Sequence, residues 1–114
     1  MPGINGFLAQ ALTPLGVPMS EEPMLQECSG SYITWAKTGE KSIYASGKRL
    51  FRQDQVQVSL WVHPDQDTEA LQREAALLLM GAGCRIRYQG SKWQQDIGRQ
   101  QVVLACALPM EACT

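Results

Sequence analysis

The stretch Gln53–Gly83, QDQVQVSLWVHPDQDTEALQREAALLLMGAG, decides the fold. Its first half alternates, with Val56, Val58, Leu60 and Val62 on one side and Gln55, Gln57, Ser59 and Trp61 between them. Side chains two apart on a strand share a face, so this half predicts a strand buried on one side. Pro64 ends the ladder because it has no N–H to donate. The period then changes. Leu71, Ala75, Leu78 and Ala82 recur at helical spacing, and Leu77, Leu79 and Met80 widen the apolar stripe, which predicts a helix over about 65–82. Asp65 or Asp67 is placed to cap its start, and Gly81 or Gly83 to take the left-handed turn at its end.

A strand feeding such a helix needs a sheet to pack on, and the flanking sequence supplies one. Upstream, INGFLAQAL (4–12) predicts a short N-terminal helix with Phe7, Leu8, Ala11 and Leu12 on one side, Asn5 as its cap, and Pro14 and Gly16 as its stop. LGVPM reads as a short extended piece, since a residue before proline avoids the helical region. An acidic segment with Glu21, Glu22 and Glu27 reads as a solvated loop. SYITWAK (31–37) is rich in β-branched and aromatic residues and predicts a strand with bulk on both faces. Such a strand is central, or one of its faces is covered by another subunit.

Residues 38–52 then form the longest connection between elements and read as an exposed arm or irregular hairpin. Gly47-Lys48 invites a phosphate-loop reading, which fails: Ser42 stands where the earlier glycine is required, and Arg49 where Ser or Thr must follow the lysine.

Downstream, Cys84–Tyr88 alternates, with Cys84, Ile86 and Tyr88 inward and Arg85 and Arg87 outward. Gln89-Gly90-Ser91 is a turn signal, and 93–98 is a further piece of no clear type. RQQVVLACAL (99–108) predicts the last strand, with Val102, Leu104, Cys106 and Leu108 on one face. Residues 109–114 read as a frayed tail. The expectation is one α+β domain over 1–114: about four mainly antiparallel strands, one main helix on one sheet face, and a short N-terminal helix. One helix covers one face, so the other, carrying Trp61 or Trp35, is left to the N-terminal helix or to a neighbouring chain.

The totals narrow the functional classes. With 45% hydrophobic and 18% charged residues, 114 residues suit a single globular domain. A lightly charged surface fits a protein that covers part of itself with neighbours, and equally a polar surface built from Gln and Ser. A net charge of −1 argues against a general nucleic-acid binder. No apolar run approaches the roughly 20 residues that span a bilayer. The first residues lack a signal peptide's basic start, so a cytoplasmic location is expected.

Cys28, Cys84, Cys106 and Cys113 are widely spaced without a CxxC pair, and His63 is the single histidine. No metal site or cofactor is expected. His63 precedes a proline and a helix start, where a capping or surface role is commonest. Asp65 and Asp67 suit the helix dipole without catalysis. A meeting of His63, Tyr88 and Asp96 is not demanded by spacing, and no enzymatic motif occurs, so the chain is expected not to be an enzyme. Arg49, Arg52, Arg85 and Arg87 with Tyr44 and Tyr88 could line a nucleic-acid face, but no RNP-like run accompanies them. Specific nucleic-acid binding is therefore not expected.

One resemblance goes further. Leu15-Gly16-Val17-Pro18-Met19, the Tyr32-Ile33-Thr34-Trp35 strand, the QVQVSLW strand leading to an Asp-rich helix start, the Leu-rich helix ending in Gly, and the late strand follow one another over about residues 8–108. This order resembles the small tail-completion or tail-terminator proteins of siphophages and prophages. Met19 departs from the usual β-branched residue there, and 39–52 matches no family phrase.

The resemblance implies a ring, near six-fold, at the head-proximal end of the tail tube. Its partners would be copies of itself, the tube protein and the head connector. It would lie in the host cytoplasm during assembly and then in the virion tail. Lys41, Lys48, Arg49 and Arg52 are then candidates to contact a neighbour or the tube, and Trp61 to lie in a subunit interface. Other neck, head–tail joining or minor tail subunits, and a small nucleic-acid- or ligand-binding module, are the alternatives.

Overall fold

The computed structural model describes residues 3–22, 30–109 and 111–112. The chain is α+β. The elements are α1 (Ile4–Leu12), β1 (Met19–Glu21), β2 (Tyr32–Ala45), β3 (Lys48–Val62), α2 (Thr68–Gly81), β4 (Arg85–Gln94), β5 (Arg99–Ala107) and the two-residue β6 (Glu111–Ala112). The strands lie in the order β1-β2-β3-β5-β4, with β6 beside β3. The four long strands pair antiparallel as expected, and β1 adds a parallel edge, which makes the sheet mixed. The extended piece expected at LGVPM ends in β1, which runs on through Ser20 and Glu21, so Glu21 is a strand residue and not part of the loop expected there; three residues are too few to show a period. What creates β1 is its partner: Ile33 N–H donates to Pro18 O at 2.9 Å, and Glu22 N–H to Trp35 O at 2.8 Å.

The alternation places the core. Val56, Val58, Leu60 and Val62 of β3 and Val102, Leu104 and Cys106 of β5 are all buried on one face, with Ile33 and Trp35 of β2 in register beside them. Leu8 and Leu12 of α1 and Ala75 and Leu79 of α2 close over that face. Both helices therefore share one side. Asn5, expected as a cap, instead accepts the Trp35 indole N–H at 2.8 Å, and Gly3 is the N-cap residue of α1 without a side-chain cap. Asp67 caps α2 by accepting from Ala70 N–H at 3.2 Å. At the far end Gly83 takes the left-handed conformation (φ 98°), and its N–H and that of Cys84 bond back to Met80 O and Leu79 O, a Schellman stop.

Three departures concern strand length. The strand expected over 31–37 continues to Ala45, and 38–52 takes the second of the two forms expected of it, a two-stranded hairpin whose register slips between Lys37 and Gly39 and between Ile43 and Tyr44. Ser46 and Gly47 (φ 54° and 76°) form its two-residue turn, the primed type whose twist matches antiparallel strands. The hairpin runs past the end of β5 and stretches the molecule to 53 × 25 × 24 Å.

The turn expected at 89–91 is absent, because β4 passes straight through Gly90. A β-bulge between Ile86 and Tyr88 turns Tyr88 outward, correcting its inward assignment. The ring lies across Gly90, where a Cβ would stand 2.5 Å from the tyrosine oxygen. The real turn is at 95–98, with Gly98 left-handed (φ 63°). In the tail, Glu111 and Ala112 pair with Arg52 and Phe51 instead of fraying, while Met110, Cys113 and Thr114 lie outside the described residues.

Candidate interaction surface

With both helices on one side, the opposite sheet face has no helix over it among the described residues. Register places Tyr32, Thr34 and Ala36 of β2, Gln57, Ser59 and Trp61 of β3, and Gln101, Val103 and Ala105 of β5 on this face. Trp35 goes under α1, so the open face carries Trp61. Tyr32 and Trp61 are cross-strand partners whose rings stack at 5.9 Å and 21°. The Trp61 indole N–H donates to Thr34 Oγ1 at 2.9 Å, and that hydroxyl donates to Glu22 Oε1 at 3.1 Å. Gln94 Nε2 donates to Gln101 Oε1 at 2.8 Å, and Gln101 Nε2 to Ser59 Oγ at 3.3 Å. Glu22, Tyr32, Thr34, Trp61 and Gln101, with Ala36 and Gln57, border an open depression of about 700 Å³. The Trp61–Thr34–Glu22 chain of hydrogen bonds and the stack on Tyr32 fix its aromatic surface, which suits contact with a preformed partner.

The hairpin splits the expected basic group. Lys41 and Lys48 are exposed, and Tyr44 is 64% exposed near the tip. The Arg49 backbone pairs with Tyr44, and its side chain lies outside the described atoms. Arg52 stands apart at the base, where its Nε is 3.6 Å from Asp54 Oδ1. Lys37 meets Glu40 at 3.1 Å and Asp54 at 3.3 Å, and these carboxylates, Glu40 first, hold its pKa above 10.5. Trp61 is not near the tip: it lies thirteen positions along β3 from Lys48, roughly 40 Å of strand. The candidates therefore form two surfaces, not one.

A third surface was legible only in part: the sequence offers Arg85, Arg87 and Tyr88 in one basic face with Arg49, Arg52 and Tyr44, and the structure sets the first three on β4, apart from the hairpin. Most of β4 is exposed on both faces. Tyr88 (61% exposed) and Trp93 (49%) lie among exposed Arg85, Arg87 and Lys92, with no acid on the strand. Leu77 (60%) and Met80 of α2 stand beside it, in a depression of about 360 Å³ shared with Gln89. The period of α2 marks Leu77 as apolar but cannot show that the sheet ends beneath it.

The residues weighed for catalysis are not assembled. The His63 imidazole Nδ1 accepts the Asp65 backbone N–H at 3.1 Å, and the His63 backbone N–H donates to Ser31 Oγ at 2.8 Å, so His63 closes the turn into α2. Ser31 Oγ also bonds Gln66 Oε1. Tyr88 is level with Ala105 while Val62 is level with Gln100, so Tyr88 and His63, one residue beyond Val62, are about 20 Å apart along the sheet.

No metal-holding group of three His, Cys, Asp or Glu occurs among the described residues. Cys84 and Cys106 are free and buried, and burial pushes their thiols from 9.0 to about 11 and about 12, with Cys84 adding to the rise at Cys106. Cys28 and Glu27 lie outside the described residues. No described helix is long and apolar enough to cross a membrane. A scan against protein-family models finds no match to the chain, and a search of curated proteins finds no relative.

Proposed function

We propose that the chain is a structural subunit of a siphophage or prophage tail: a terminator or completion protein that closes the head-proximal end of the tail tube as a ring of about six copies. It does no catalysis, holds no cofactor, and joins the tube protein on one side to the head connector on the other. It would assemble in the host cytoplasm and remain in the virion tail.

The observation that carries the reading is the one-sided architecture. Both helices lie on one sheet face, and the other presents a fixed Tyr32–Trp61 stack, while a hairpin projects beyond the body. A domain of this shape has distinct surfaces for a neighbour and for a ring above or below it, as a heterologous closed ring needs. The order of sequence elements resembling the tail-completion family supplies the specific role, since fold alone does not.

In this reading Lys41, Lys48 and Arg49 contact the tube or a neighbour, Arg52 stiffens the hairpin base, and Trp61 lies in a contact face. The test is tube polymerisation followed by electron microscopy. Added protein is expected to stop tube lengthening and appear as a ring at one end, and charge reversal at Lys48 and Arg49 to abolish this. Tubes that lengthen unchanged, with no protein at their ends, refute the role.

The depression beside Trp61 favours a second reading, a small ligand-binding module. Saturable binding of a small molecule there, with no affinity for tubes, would select it.

A further inference from the structure

We infer that copies of this chain join sheet edge to sheet edge, β4 of one against β1 of the next, and that Arg87 comes diagonally beside Glu22 across the joint. The inference rests on the ring reading above and names its interface. Three observations carry it.

The first is strand direction. Since β1 is parallel to β2 and each later neighbour is antiparallel, β4 runs opposite to β1. Rotating a copy about an axis along the strands keeps these directions. The next copy's β1 then meets β4 antiparallel, the arrangement with the better hydrogen-bond geometry.

The second is register. Glu21 is level with Trp35, Val58, Leu104 and Gln89 in turn across the sheet. A pure rotation keeps levels, so Glu21 of one copy comes opposite Gln89 of the next. Glu22 then falls opposite Tyr88, beside Arg87.

The third is charge. The exposed β4 edge carries Arg85, Arg87 and Lys92 without an acid, and the β1 edge ends in exposed Glu21 and Glu22 without a base. Leu77, Met80 and Tyr88 border the β4 edge with exposed apolar surface, which single soluble domains rarely leave uncovered beside a free strand. A lysine and a bulge on an edge strand discourage indiscriminate pairing. Here the same features leave one complementary partner, the acidic edge of another copy.

The experiment compares the wild type with Arg87→Glu, Glu22→Arg and their equimolar mixture, reading mass by light scattering and fold by circular dichroism. Each single variant is expected to keep its fold and associate at least about tenfold more weakly, the scale of one repelling pair in place of an attracting one. The mixture is expected to regain the wild-type mass. Copies that alternate around the ring meet through the two reversed charges at one joint and through the native Arg87 and Glu22 at the next. Glu22→Gln keeps an acceptor for Thr34 and is expected to fall between wild type and Glu22→Arg.

A wild type that is monomeric in free solution is compared with the same variants by co-sedimentation with tail tubes. Variants that assemble like the wild type, or singles whose mixture stays dissociated, overturn the interface and leave the ring reading standing. A wild type that neither oligomerises nor sediments with tubes overturns both.

Discussion

Leu77 and Leu79 are two residues apart on α2 and identical in chemistry, yet they stand in opposite environments. Leu79 is fully buried among the β3 and β5 valines and leucines, and Leu77 is 60% exposed. Truncating Leu79 to alanine removes buried methyl groups and leaves a cavity under a helix pinned at both ends, which costs about 3–4 kcal/mol. At 0.05–0.15 kcal/mol per residue, 114 residues hold roughly 6–17 kcal/mol in total, so the loss is a large share. Leu77→Ala exposes no new cavity and is expected to change stability by less than about 0.5 kcal/mol.

Urea titration followed by tryptophan fluorescence separates the two. Leu79→Ala lowers the midpoint with an unchanged slope, and Leu77→Ala leaves both in place while weakening self-association. Equal losses of stability at the two positions would refute the placement of α2.

Other consequences are as direct. Gly47→Ala forces a Cβ into the left-handed turn and should cost the hairpin about 1–2 kcal/mol by urea titration, while Ser46→Gly should be neutral or stabilising; a neutral Gly47→Ala contradicts the primed turn. Thr34→Val removes the acceptor of the Trp61 indole and a donor to Glu22, a loss of about 1–2 kcal/mol that Thr34→Ser should largely avoid. Cys84 and Cys106 titrate higher folded than unfolded, so their contribution to stability is complete below pH 9 and declines as pH rises towards about 11 and 12. At pH 8 they should resist a thiol-specific reagent until the protein unfolds, and rapid labelling in the native state would contradict their burial.

Where one period ran long enough, the sequence was sufficient. Four alternating apolar residues on β3 and three on β5 defined the buried face, and the change of period at Pro64 separated strand from helix. The N-terminal helix appeared at its expected bounds, Ile4–Leu12.

What failed depended on neighbours. Gly90 reads as a turn locally, but in a strand paired to β5 the Tyr88 ring fills the place of its missing side chain. The bulge that reverses Tyr88 is a property of two strands, not one. For 38–52 the hairpin was one of two readings, and its turn at Ser46-Gly47 stayed hidden because the charged residues around it lack alternation. Among the candidates, Trp61 was legible by elimination, since it alternates against the valine face. The β4 edge was legible only in part: alternation set Arg85 and Arg87 outward, but the exposure of Leu77 depends on where the sheet stops.

The central claim is tested most directly by the mass of the purified chain, from light scattering coupled to size exclusion over a range of concentration and salt, alone and with purified tail tubes. A closed assembly near six copies, alone or formed on the tube end, is the expected result. A monomer at every concentration that also fails to bind tubes would contradict the account.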